Sequence, residues 1–127
     1  IIKSVKIDTL VQDYNLEKYK IIIKLDIEGN EMNAIQGSLE LIKKSSPFII
    51  IEFSKYIFNK KDNIEYLKDF LLRYDYSIFD TNNKKRNLDN ILTTLENLEK
   101  RHQTIGNFYL IKNSSNILEE IVSSWVI

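Results

Sequence analysis

Four carboxylates fall at or just beyond the ends of two aliphatic runs. Asp26, Glu28 and Glu31 close "IIIKLDIEGNE", and Glu52 closes "PFIIIEF". Acids grouped in this way can do one of three things. One of them can take the proton of a hydroxyl as a general base. Several together can hold a divalent cation through oxygen. Or they can steady a helix start, where the dipole favours negative charge by roughly 0.3–1 kcal/mol each. Spacing alone leaves all three open. Residues two apart in an extended chain share a face, so Lys24, Asp26 and, if the strand runs that far, Glu28 point the same way. Lys24 can pair with Asp26 or Glu52. Gly29 lets the chain turn, which sets Glu31 in the first turn of a following helix as a helix-start stabiliser. Asp26 is the first candidate for a general base, with Glu28 and Glu52 next.

The rest of the sequence narrows the chemistry. There is one histidine, His102, and no cysteine. A disulfide framework and a thiolate metal site are therefore excluded, and a zinc site would need three carboxylates. His102 follows a charged helix end and reads as a solvated residue or a helix-terminal cation. No Gly-x-Ser-x-Gly elbow and no glycine-rich phosphate loop occurs. The 18 basic and 18 acidic residues cancel, so no basic excess points to nucleic acid. No apolar run approaches the roughly 18–20 residues that span a bilayer, and no signal peptide is visible. A cytoplasmic protein is expected. With 127 residues, 43% of them apolar, the chain has room for one domain with a real core.

These acids need elements to position them. Residues 4–8 read as a short extended piece and 9–16 as a helix, with Asp8 as its cap and Leu10, Val11 and Tyr14 on one face. Tyr19–Asp26 is short and β-branched, hence a buried strand. Asn30–Lys44 reads as one helix, with Met32, Ile35, Leu39 and Ile42 at helical spacing. Pro47 bars its continuation, and Pro47–Phe53 is a second buried strand. Two such strands joined through a helix form a βαβ unit. Asp62 and Glu65 have capping-box spacing and open a helix carrying Ile64, Leu67, Leu71 and Tyr74 inward. Tyr76–Asp80 is a third strand, and Thr81–Asn87 a polar loop. Leu88, Ile91, Leu92, Leu95 and Leu98 mark an amphipathic helix ending near Arg101. Asn107–Lys112 is a fourth strand after Gly106. Asn116 and Glu119 cap a last helix, with Ile117, Ile121, Val122 and Trp125 on its apolar side. This alternation argues for an open, mostly parallel α/β sheet. Ligands bind such sheets beyond the carboxyl ends of the strands, which is where the acids lie.

The run from Ile21 to Phe53 resembles the central motif of the FkbM family of S-adenosylmethionine-dependent methyltransferases. The matching residues are Lys24, Asp26, Glu28, Gly29, Glu31, Gly37-Ser38, Pro47 and Glu52. "VKIDTLVQDYNL" is similar to an upstream segment of the family, with Val11 and Gln12 departing from it. "YDYSIFD" resembles the strand that follows, with Asp75 where a glycine is usual. The resemblance extends from about Val5 to Asp80.

The resemblance implies a partial seven-stranded methyltransferase (Rossmann-like) fold with helices on both faces. The strands at 19–26, 47–53, 76–80 and 107–112 would be its fourth to seventh. The last would be antiparallel between its neighbours. It implies S-adenosylmethionine as cofactor and methyl transfer to a sugar or other hydroxyl acceptor, with Asp26, Glu28 and Glu52 lining the cleft. In this family's fold the cofactor is held mainly by a glycine-rich turn after the first strand. This sequence has glycines only at 29, 37 and 106 and no Gly-x-Gly. Residues 1–127 are therefore expected to be one domain, the C-terminal portion, without the glycine-rich half and inactive alone. The strand at 19–26 is then expected to be an open edge that self-associates or docks on a separately encoded N-terminal half. Two other functions fit the same residues: a non-catalytic scaffold that kept the fold, and a metal-dependent hydrolase using Asp26, Glu28 and Glu31.

Overall fold

A computed structural model describes residues 3–98, 102–117 and 119–120. Helix α1 (Ile7–Asp13) and a 3-10 turn (Leu16–Lys18) lead into strand β1 (Ile22–Leu25). Helices α2 (Glu31–Gln36) and α3 (Leu39–Ser45) connect it to β2 (Phe48–Ser54). Helices α4 (Lys55–Phe58) and α5 (Lys61–Arg73) precede β3 (Tyr76–Phe79), and a short β4 (Lys85–Arg86) precedes α6 (Leu88–Glu96). Strand β5 (Thr104–Lys112) completes the described sheet. The expected last helix and the helix end near Arg101 fall largely outside the described residues, Ile121, Val122 and Trp125 entirely so.

The sheet order is β1-β2-β5-β3-β4. The β1–β2 pair is parallel, with Ile23 beside Ile49 and Leu25 beside Ile51. Strand β5 runs antiparallel between β2 and β3, as the resemblance implies for its last strand. The sheet is mixed rather than mostly parallel, and five strands rather than seven are present among the described residues. The reason is topological: β1, β2 and β3 all run one way, but β5 inserts between β2 and β3 and replaces a parallel contact with two antiparallel ones. The β3–β4 hairpin adds a third antiparallel pair inside what the sequence presents as a polar loop.

One face of this sheet carries the core. Ile23, Leu25, Ile49, Ile51, Phe53, Phe108, Leu110, Tyr76 and Ile78 alternate onto it and are all buried. They join one cluster with Val11, Met32, Ile35, Leu41, Ile42, Ile57, Leu67, Phe70, Ile91 and Leu95 from the helices. The opposite face bears Ile22, Lys24, Ile50, Glu52 and Tyr109, none of which belongs to that cluster. Helices on both faces were expected; among the described residues every helix with buried apolar side chains directs them to the same face. Phe48 and Ile111 are buried on the opposite face, where Phe48 meets the Tyr109 ring at 5.1 Å.

Several local readings are corrected by long-range contacts. Asp8 lies within α1 rather than capping it. Its carboxylate accepts from the backbone N–H groups of Glu40 at 3.0 Å and Leu41 at 2.9 Å, so it caps α3 from 32 residues away. The single expected helix over 30–44 is two, broken at Gly37-Ser38. The Ser38 hydroxyl bonds back to the carbonyl of Ile35 at 2.9 Å instead of capping α3. Asp62 sits inside the first turn of α5, whose N-cap is Lys60 with no side-chain cap bond, so no capping box forms. Asn87 does cap α6, accepting from the N–H of Asp89 at 2.8 Å. Gly106 lies within β5 rather than before it: Phe53 faces Gly106 and Ser54 faces Thr104, a β-bulge at which Gly106 has φ 105°.

Candidate functional site

Asp26 follows directly on β1, and Glu52 stands near the carboxyl end of the adjacent parallel strand β2. Lys24 and Ile50 are neighbours in the β1–β2 ladder, so the alternation that places Lys24 on the open face places Glu52 there too. Asp26 shares that face. Its carboxylate accepts from the Lys24 ammonium at 2.8 Å, and both side chains are about half exposed. An ion pair this wet contributes at most about 1 kcal/mol. It therefore screens Asp26 rather than fixing it. Across the sheet, Glu52 faces Asn107 of β5.

The turn after Asp26 is built from unusual backbone. Glu28 adopts a left-handed conformation (φ 56°) and Gly29 follows at φ 98°. This turn keeps Glu28 out of the strand and leaves it exposed, so it does not extend the Lys24–Asp26 alternation. A Cβ at Gly29 would come within 3.2 Å of the Tyr56 Cβ and 3.3 Å of the Tyr56 carbonyl oxygen. Gly29 thus lets the turn after β1 press against α4, the helix following β2.

Glu31 is where the structure departs most from the sequence reading. It is only 2% exposed. One carboxylate oxygen accepts the backbone N–H of Ile27 at 3.0 Å, closing the turn on itself. The other is buried with no protein hydrogen-bond partner. Glu31 does begin α2, but it faces the interior, whereas Asp26 and Glu28 face outward. The three acids do not converge. Among the described residues no group of three histidine, cysteine, aspartate or glutamate side chains could hold a metal ion. The arrangement required by a metal-dependent hydrolase on Asp26, Glu28 and Glu31 is absent.

The site thus joins Asp26 and Glu52 on one face, sets Glu28 in the adjoining turn and assigns Glu31 to holding that turn. Sequence reading missed Asn107 and Tyr56 as its neighbours. Asn107 carried a usable signal, because it begins the run that pairs with β2; nothing local marks Tyr56. The other two glycines are engaged elsewhere. A Cβ on Gly37 would lie 3.7 Å from the Lys6 Cα, and one on Gly106 would meet nothing within 4 Å. The cavity lined by Ser4, Lys6, Ile27, Asn30 and Asn33, about 490 Å³, touches the turn but does not include Asp26, Glu28 or Glu52. No helix of the described residues is long and apolar enough to cross a membrane.

The wider resemblances are few. Neither a curated protein nor a solved structure matches the chain. The model of the methyltransferase FkbM domain matches residues 1–78, from ahead of α1 through β1, the acid-bearing turn and β2 into β3. On that match across more than half of its length, the chain belongs to the FkbM methyltransferase domain family.

Proposed function

We propose that this chain is the acid-bearing part of an S-adenosylmethionine-dependent methyltransferase acting on the oxygen of a sugar or other hydroxyl compound. The observation that carries the reading is the placement of Asp26 and Glu52 on one face, at the carboxyl ends of adjacent parallel strands. That is the position at which open α/β sheets bind ligands. Asp26, with Glu52 or Glu28 as the alternative, accepts the hydrogen bond of the acceptor hydroxyl. Bound S-adenosylmethionine would supply the methyl group, its carbon–sulfur bond breaking as the acceptor oxygen bonds to that carbon; the carboxylate takes the proton that the hydroxyl gives up. Lys24 screens the Asp26 charge in the absence of an acceptor, and an exposed ion pair of this kind is readily exchanged for the acceptor's hydrogen bond.

The described residues do not by themselves form a cradle for S-adenosylmethionine. Gly29 accommodates Tyr56 rather than a ligand, and no second glycine lies beside it. S-adenosylmethionine would be held mainly by a surface these residues do not supply. The test is transfer of a labelled methyl group to a panel of hydroxyl acceptors by this chain together with the polypeptide segment that supplies that surface. Asp26→Asn should lower turnover by ~100-fold or more, the range of general-base contributions, with Glu52→Gln next. Unchanged turnover in Asp26→Asn, Glu28→Gln and Glu52→Gln would reject these acids as the base.

The placement of the glycines also favours a second reading, a non-catalytic partner that kept the fold. In that case the same three substitutions leave every cellular methylation unchanged, while substitutions that unfold the chain do not.

A further inference from the structure

Strand β5 lies inside the described sheet, between β2 and β3. What it sets beside β2 is therefore fixed by this chain, whatever lies beyond β1. Beside Glu52 it sets Asn107. On the other side of β2, the last ladder partners are Leu25 and Ile51, so one residue further along both strands Asp26 comes level with Glu52. Two carboxylates and an amide thus stand in one row across three strands, on the open face. Asp26 is engaged with Lys24. Glu52 and Asn107 are not engaged: among the described residues neither side chain makes a hydrogen bond or an ion pair. They do not satisfy each other, although directly opposed residues of an antiparallel pair bring their Cβ atoms to about 4.5–5.5 Å. Glu52 is half-buried and Asn107 exposed. The chain bulges immediately before Asn107, where Gly106 takes φ 105°. Bulges are over-represented beside active sites, where they re-aim a side chain. Two residues on, half-buried Tyr109 adds ring surface to the same face.

We propose that Glu52 and Asn107 together grip the hydroxyl next to the one that is methylated, so that the acceptor is a vicinal diol. The inference rests on the reading of Asp26 as the base. A hydroxyl has one O–H to donate and two lone pairs that accept. A carboxylate only accepts, and an amide N–H donates. Side by side, the two satisfy both halves of one hydroxyl: its O–H donates to Glu52, and its oxygen accepts from the Asn107 N–H. An ether or carbonyl oxygen in that place would leave Glu52 without a donor, and a bare carbon would leave both groups unpaired. Neighbouring strands lie about 4.8 Å apart. That is the step from Glu52 to Asp26, and the second oxygen of a vicinal diol covers it with its own hydrogen bond. The gripped hydroxyl therefore presents its neighbour to Asp26, which takes the proton. Asn107 is a specificity-determining residue in this arrangement.

The test uses this chain together with the segment that supplies the cofactor-holding surface. The acceptors are a methyl hexoside with a vicinal diol and its deoxy analogue, which lacks the hydroxyl beside the methylated one. The parent should favour the diol by about tenfold in kcat/KM, chiefly through KM. Asn107→Ala should bring that ratio close to one. So should Asn107→Asp, which keeps the size of the side chain but has no N–H to donate. Asp26→Asn should instead lower kcat on both acceptors and keep the ratio. Asn107 is exposed, so both of its variants should retain the parent's circular dichroism spectrum. Methyl transfer whose ratio is undiminished in the two Asn107 variants overturns the pair and leaves the role of Asp26 standing. A parent that methylates the deoxy analogue as well as the diol does the same. A parent that methylates neither acceptor nor any other hydroxyl compound rejects the reading of Asp26 as the base, and the diol grip with it.

Discussion

The Glu31 carboxylate accepts the backbone N–H of Ile27 at 3.0 Å, so a residue of α2 reaches back over four positions to hold the turn that carries Asp26 and Glu28. Leaving a buried backbone donor without its acceptor costs about 1–3 kcal/mol. Glu31→Ala should destabilise the protein by about 2 kcal/mol in denaturant unfolding and expose the Ile27 amide to rapid hydrogen exchange. Glu31→Gln keeps an acceptor for that amide and should keep its protection. Equal exchange in both variants would remove Glu31 from this role.

Asp8 holds α3 through two backbone N–H groups, and its own N–H donates to the Gly37 carbonyl at 2.9 Å. Asp8→Ala should cost about 1–2 kcal/mol, the range for loss of a capping side chain. Exchange protection should fall at Glu40 and Leu41 rather than within α1. Asp8→Asn, which keeps one acceptor oxygen, should lose less.

Gly29 and Asp75 both occupy left-handed backbone, at φ 98° and 58°. Gly29→Ala adds a backbone penalty of about 1–3 kcal/mol to a tight contact with Tyr56, and should lower the melting temperature markedly. Asp75 pays part of its cost back. Its carboxylate accepts from the Asn113 amide at 2.6 Å and its carbonyl from the Asn113 N–H at 2.9 Å. Asp75→Gly trades that side-chain bond for easier backbone and should stay within about 1 kcal/mol of the parent. Asp75→Val, with neither advantage, should be clearly less stable than both.

Tyr76 is buried on the core-bearing face and its hydroxyl donates to the Pro47 carbonyl at 2.9 Å. Burial pushes its phenol above the ordinary tyrosine range. The folded state then keeps a proton that the unfolded chain releases above a pH of about 10. Stability contributed by the neutral phenol is complete below that pH and declines as pH rises through it. Tyr76→Phe should lose about 1 kcal/mol at neutral pH, and its stability should fall less steeply in alkali. Parallel pH profiles for the two proteins would contradict this.

The alternation of apolar runs and amphipathic segments determined, from sequence alone, an α/β chain with β1 and β2 parallel across a helical crossover. It also put Asp26 and Glu52 at neighbouring strand ends, because a period of two and a short crossover leave little other choice. The FkbM motif was equally legible, since its residues lie within one continuous stretch. What the sequence left undetermined depends on residues far apart in the chain. The Asp8 cap on α3, Tyr56 against Gly29 and β5 between β2 and β3 join segments with no local signature in common. Glu31 is the clearest case. After Gly29 it reads as a helix-start stabiliser, and it does open α2; only the packing of the assembled core turns it inward onto the Ile27 amide. Local patterning fixes which way a side chain points within its own element; which element covers it is decided by the assembled core.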